Sequence, residues 1–116
     1  MERRQWGALG EEIAARFLEL QGCTVLQRNV RHADVEIDLV ARQGPCILLV
    51  EVKMRSGTLV PARSSLGQRQ EQRLLRAARA MLQRYAWAAH VRLDVIAIDI
   101  EPASLRLEHL RGALPR

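Results

Sequence analysis

The stretch Val35-Glu-Ile-Asp-Leu-Val-Ala41, the segment Arg42-Gln43-Gly44-Pro45 and the run Cys46-Ile-Leu-Leu-Val-Glu-Val-Lys53 constrain this chain more than any other part of it. Two apolar runs rich in β-branched residues, joined by turn-forming residues, predict an antiparallel hairpin. Charges nevertheless sit inside both runs. If residue 41 pairs with residue 46, position 38 lies opposite 49, and the two-residue period places Asp38, Glu51 and Lys53 on one face. Asp38 and Glu51 are then diagonal neighbours, roughly 7 to 8 Å apart at the backbone, close enough to share a divalent cation. A register shift of two residues keeps that common face; a shift of one destroys it.

With 116 residues the chain is expected to form a single domain, 1–116, with a real core. No apolar run approaches the roughly 18 residues that span a membrane, and Met1-Glu-Arg-Arg-Gln-Trp6 is not followed by the apolar stretch of a signal peptide, so a cytoplasmic protein is expected. Cys23 and Cys46 stand in apolar contexts, where free buried thiols are expected, and their spacing does not suit structural zinc. A formal net charge of +5 and a pI near 10.5 favour a polyanionic partner. Of the 18 basic residues 17 are Arg, and Lys53 is the single Lys. Arginine makes planar bidentate phosphate contacts, whereas a lysine ammonium approaches a reacting oxygen as a point charge. Its position two residues after Glu51 admits either a need for the amine there or chance.

Trp6 to Gln21 predicts an amphipathic helix with Leu9, Ile13, Phe17 and Leu20 on its apolar stripe and Gly22 as terminator. Glu11 lies at the edge of that stripe, where it is either a boundary residue with its head in water or part of a site. Cys23 to Val30 predicts a strand, and Arg31 to Asp34 a polar loop. Met54 to Gly67 has the composition of a long connection able to cover a site or substrate. Gln68 to Tyr85 predicts a second helix, with Leu74, Ala78, Met81 and Tyr85 on one face. On its other side Arg69, Arg73 and Arg76 recur at i, i+4 and i+7, either a rail for phosphate oxygens or an ordinary solvated face. His90 to Ile100 predicts a buried strand in which Asp94 needs a partner, either Arg92 or a group on the preceding helix, and Leu105 to Leu110 predicts an edge strand.

The order is helix, strand, hairpin, helix, strand and edge strand, a mixed α/β sandwich. Its hairpin carries two acids with one lysine as counter-charge, which a divalent ion would neutralise, and oxygen ligands favour Mg²⁺ or Mn²⁺ over zinc. Phosphodiester hydrolysis needs a metal, a base or orienting group, and a cation for the transition state. Asp38 and Glu51 supply the first, and Lys53 the other two.

Asp38 followed by Glu51-Val52-Lys53 within an α-β-β-β-α-β order resembles the PD-(D/E)XK nuclease superfamily. Gly10-Glu11, Glu36-Ile-Asp-Leu39, Val50-Glu-Val-Lys-Met-Arg55 and Leu93-Asp-Val95 resemble, more narrowly, the YraN family of small bacterial proteins, similar to archaeal Holliday junction resolvases. The resemblance implies a restriction-endonuclease-like core with a mixed central sheet flanked by helices. It also implies a metal-dependent endonuclease acting on branched or junction DNA. By that resemblance Asp38 and Glu51 are metal ligands and Lys53 the catalytic lysine. Glu11 completes the metal site and Glu36 supports its ligand shell. With Gln70 at a candidate position of phosphate contact, the candidate nucleic-acid-binding residues are Arg55, Arg69, Gln70, Arg73 and Arg76. Two positions depart from the family pattern: Val35 stands where Gly usually precedes Glu-Ile-Asp, and Gln70 where relatives carry Lys. The alternatives are a non-catalytic nucleic-acid-binding module that keeps the nuclease fold, and a protein-interaction domain with a buried ion-pair network. A homodimer would match a two-fold junction by analogy of fold.

Overall fold

The computed structural model describes residues 3–32, 35–56 and 68–112, with side chains from Gln5 in the first helix and from Gln72 in the second. The order is α1 (Arg3–Leu20), β1 (Thr24–His32), β2 (Val35–Gln43), β3 (Cys46–Ser56), α2 (Gln68–Arg84), β4 (His90–Glu101) and β5 (Ser104–Leu110). The strands form one sheet in the order β1-β2-β3-β4-β5, with β3 and β4 parallel and every other pair antiparallel. This is the expected α-β-β-β-α-β core with its extra edge strand. Among the described residues no helix is long and apolar enough to cross a membrane.

The central strands are apolar on both faces because each face carries a helix. Ile47 and Leu49 of β3 and Leu93 of β4 pack with Leu74, Ala77, Ala78 and Met81 of α2. Leu48 and Val50 of β3 and Ile96 and Ile98 of β4 pack with Ala14, Ala15 and Leu18 of α1. The parallel pairing of β3 and β4 requires a crossover, which α2 and its flanks provide.

Three expectations need correction. The hairpin register is shifted by two from the one assumed, with Gln43 opposite Cys46 and Ala41 opposite Leu48, because the turn is the tight pair Gly44-Pro45. Gly44 stands at φ 59°, which glycine reaches without a Cβ clash. The strands also run further than their apolar patterns: β1 includes Arg31 and His32, and β3 continues through Ser56 beside β4. Positions 57–67 of the expected connection lie outside the described residues. Finally, α1 is turned relative to its large-residue stripe. Ala14, Ala15 and Leu18 are fully buried, whereas Leu9 is 37% and Leu20 85% exposed. Ala14 and Ala15 let the helix settle close to the sheet beside Leu18, while Leu9 and Leu20 fall to the edge of the contact. α1 ends as expected at Gly22, where Cys23 N–H bonds Leu18 C=O and Gly22 N–H bonds Glu19 C=O, both at 3.0 Å.

At the start of β4 the fully buried Asp94 finds the predicted partner. Arg92 donates to it through Nε (2.8 Å) and Nη2 (2.9 Å), Gly112 N–H donates at 3.0 Å, and His109 Nε2 lies 2.8 Å away. Burial alone would raise its pKa, but Arg92, Gly112 and His109 together hold the carboxyl below the ordinary 3.8. Asp94 thus ties β4 to β5 and to the turn after it. Asp94→Ala is expected to lower unfolding free energy by about 3–5 kcal/mol in urea titrations, because Arg92, the Gly112 amide and His109 all lose a buried charged acceptor. Since the folded pKa is depressed, this contribution is complete above the ordinary carboxylate range and is lost as pH falls through the folded value. The gap between wild type and variant therefore closes below about pH 4.

Candidate active site

The β2–β3 ladder stops at Leu39–Val50. Beyond it β2 continues to Val35 paired only with β1, and β3 continues to Ser56 paired only with β4. The two strands part, and the register brings Asp38 level with Glu51 at the point of parting. The parting strand leaves a backbone donor on β3 that must find another acceptor. Asp38 provides it: the Val52 N–H donates to Asp38 Oδ2 at 2.7 Å.

The strict two-residue alternation of β2 fails at this residue. Val35 and Ile37 pack in the α2-side core, but Leu39 and Ala41 pack in the α1-side core. Across the ladder, between the pairs Arg28–Leu39 and Val30–Ile37, stands Asn29 at φ 52°. It is the one non-glycine residue of positive φ among the described residues, and asparagine is among the few types that tolerate this conformation. Val35, by contrast, opens β2 without positive φ and packs 6% exposed, so the glycine expected there is not needed for backbone freedom.

The opening between the strands holds a cavity of about 330 Å³ lined by Trp6, Gly7, Gly10, Glu11, Asp38, Glu51, Val52, Lys53, Met54 and Arg55. Glu51 is 8% exposed, and Lys53 Nζ lies 3.4 Å from its Oε1. Glu11 reaches the cavity because α1 approaches closely at Gly10, where a Cβ would stand 3.0 Å from Met54 Sδ and 3.4 Å from Met54 Cβ. Among the described residues, three carboxyl groups line this cavity with one ammonium and the guanidinium of Arg55. Asp38 shows the imbalance: burial first, then the charge of Glu51, and to a lesser degree Glu11, push its carboxyl up to about 7 against the pull of Val52 N–H and Lys53.

The structure thus gathers Asp38, Glu51, Lys53, Glu11 and Arg55 into one cavity. It does not bring Glu36 there. Glu36 is exposed and lies 3.9 Å from Arg31, because the change of face at Asp38 turns its neighbour outward. Arg73 and Arg76 sit on α2 and do not line the cavity; the side chains of Arg69 and Gln70 lie outside the described residues. Among the described residues no three Asp, Glu, His or Cys side chains converge closely enough to hold a metal as they stand. A second cavity of about 490 Å³, between α2 and the starts of β3 and β4, is lined mainly by apolar residues such as Leu75, Leu82 and Val91 and has no acid cluster.

Sequence reasoning missed Trp6, the packing role of Gly10 and the bend at Asn29. A glycine inside a helix and an asparagine inside a strand each run against local propensity, and those were the available signals.

A mixed five-stranded sheet with acids where two strands part is the restriction-endonuclease-like fold. It is similar to the solved structure of Hjc from Archaeoglobus fulgidus, a Holliday junction resolvase from an archaeal hyperthermophile, with a TM-score of 0.58 and 20% identity over 90% of this chain and 76% of that one. Residues 10–98 match the model of the family described as "Uncharacterised protein family UPF0102". The chain belongs to that family, also known as YraN. Among its relatives, the UPF0102 protein of Beutenbergia cavernae is 42% identical over 109 residues, covering 91% of this chain and 92% of the relative. That of Solibacter usitatus is 42% identical over 112 residues, covering 92% and 83%.

Two outcomes are expected of this geometry. Because the folded pKa of Asp38 exceeds the unfolded one, wild type loses stability as pH rises from about 4 to 7 and no more above that. In EDTA, Asp38→Asn keeps an acceptor for Val52 N–H and should be more stable than wild type by on the order of 2 kcal/mol at pH 8, and equal to it near pH 4. Asn29→Val should lose about 1–2 kcal/mol and expose the Val52 amide to faster hydrogen exchange, whereas Asn29→Gly should leave that amide protected.

Proposed function

We propose that this protein is a divalent-metal-dependent nuclease that hydrolyses phosphodiester bonds of branched or junction DNA. The observation that carries the reading is the gathering of Asp38, Glu51 and Glu11 into one cavity with Lys53 Nζ 3.4 Å from Glu51 Oε1. The donor set fits a hard cation: the cavity offers carboxylates and neither imidazole nor thiol, which favours Mg²⁺ or Mn²⁺. Asp38 and Glu51 would hold the ion, with Glu11 on the opposite wall adding a carboxylate. A divalent ion held there would supply polarisation of the phosphoryl oxygen and would lower the pKa of a water so that hydroxide forms near neutral pH.

The chain's own residues do the rest. Lys53, oriented by Glu51, places an ammonium against the charge that develops on the phosphoryl oxygens. Arg55 on the same wall pairs with a neighbouring phosphate. The formal charge of +5 favours a polyanion over the whole surface. Arg73 and the exposed Arg76 on α2 would guide the duplex outside the cavity. The likeness to a Holliday junction resolvase supports the fold of such an enzyme, and the choice of branched DNA rests on that analogy. A cytoplasmic location suits such a substrate.

A second reading, a non-catalytic nucleic-acid-binding module, is favoured by the absence of three converging ligand side chains among the described residues. The two readings separate on cleavage. Four-way junctions, flaps and linear duplexes are incubated with Mg²⁺ or Mn²⁺. The nuclease reading expects cleavage that falls by about 10²-fold or more in Lys53→Ala and in Asp38→Asn, with circular dichroism unchanged. It also expects Mg²⁺ to raise the melting temperature of wild type but not of Asp38→Asn, by about 2.7 kcal/mol of stability at a hundredfold excess over Kd. Wild type inert on every substrate, with salt-sensitive binding that survives Asp38→Asn, establishes the binding module instead.

A further inference from the structure

We propose that Trp6 and Gly7 form a subsite for an unpaired nucleobase beside the acid pair, so that DNA enters with one base out of the stack next to the reacting phosphate. The proposal rests on the nucleic-acid reading above. Trp6 is half-buried yet belongs to neither core cluster; it lines the cavity that holds Asp38, Glu51 and Lys53. The chain has four aromatic residues, and the other three have partners. Phe17 meets His109 edge-on at 5.7 Å, Tyr85 meets Trp87 at 5.4 Å, and Arg42 lies over Trp87 at 3.9 Å. Among the described residues Trp6 stacks on no ring or guanidinium.

Gly7 points the same way. Glycine is a poor helix former, so one inside α1 calls for a reason. At Gly10 the reason is the close contact with Met54, but a Cβ on Gly7 would meet nothing within 4 Å. Gly7 lines the same cavity, so what its missing side chain leaves free is space in the site. A volume of about 330 Å³ is at the small end of ligand pockets, suited to one nucleotide unit and not to a duplex. A base inside a duplex has both faces covered by its neighbours, so only an unpaired one can stack on the indole. Arg55, on the same cavity wall, supplies the cation for the phosphate of that nucleotide.

The test compares a fully paired duplex with the same duplex carrying a single-stranded arm. Binding is followed with Ca²⁺ in place of Mg²⁺ to prevent turnover. Trp6→Ala is expected to weaken binding of the armed DNA by at least about fivefold, the lower end for one stacked base, while binding of the paired duplex changes less than about twofold. Trp6→Phe should restore most of the loss. Gly7→Leu should raise the melting temperature, as a better helix former, and still weaken binding of the armed DNA, a pair of opposite effects that a purely structural role does not produce. Equal effects of Trp6→Ala on both DNAs, or none, overturn the subsite and leave the nuclease reading standing. Wild type that binds neither DNA at low salt overturns both.

Discussion

The bond from the Val52 amide to Asp38 is the contact on which the site depends. Where β2 leaves β3, a backbone N–H loses its ladder partner, and a buried amide without an acceptor is costly. Asp38 replaces the missing strand with its side chain. In doing so it commits a carboxyl group to a buried place beside Glu51, and burial first, then the charge of Glu51, push its pKa up. The opening of the sheet and the acidity of the site are therefore one event. A ladder continued past Leu39 and Val50 would have closed the cavity and satisfied the amide without any acid.

The two aspartates of the central strands show how surroundings decide the role of a buried acid. Asp94 receives two bonds from Arg92, one from the Gly112 amide and the approach of His109, and its carboxyl is held low. Asp38 has one amide and sits among acids, and its carboxyl is driven high. The first arrangement is complete without a ligand and fastens β5 to the sheet. The second groups more acids than bases among the described residues, which is the condition under which a site gains from a cation or from a phosphate brought in with one.

Helix α1 contributes through what it lacks. Gly10, Ala14 and Ala15 let its backbone settle onto β3, and that approach carries Glu11 and Trp6 to the cavity. A helix packed on its large residues would have stood further off and left the acid pair facing solvent. The same economy of side chains at Gly7 leaves room in front of the acids.

The amino-acid sequence by itself determined the element order, the two-sided burial of β3 and β4, the need of Asp94 for a partner, and the grouping of Asp38, Glu51 and Lys53. These follow from period, propensity and the cost of burying charge, all of which act locally along the chain. The common side of the acids survived the two-residue shift of the hairpin because alternation has period two. Only the tertiary structure decided where the β2–β3 ladder stops, which way β2 turns at Asp38, and which side of α1 meets the sheet. Those outcomes depend on how closely elements distant in sequence approach one another: Asn29 bending the strand beside Asp38, and Gly10 fitting against Met54. Glu36, one turn of the pleat away from Asp38, shows the limit of the pattern, since period alone places it with the site and the bend at Asp38 turns it outward to Arg31.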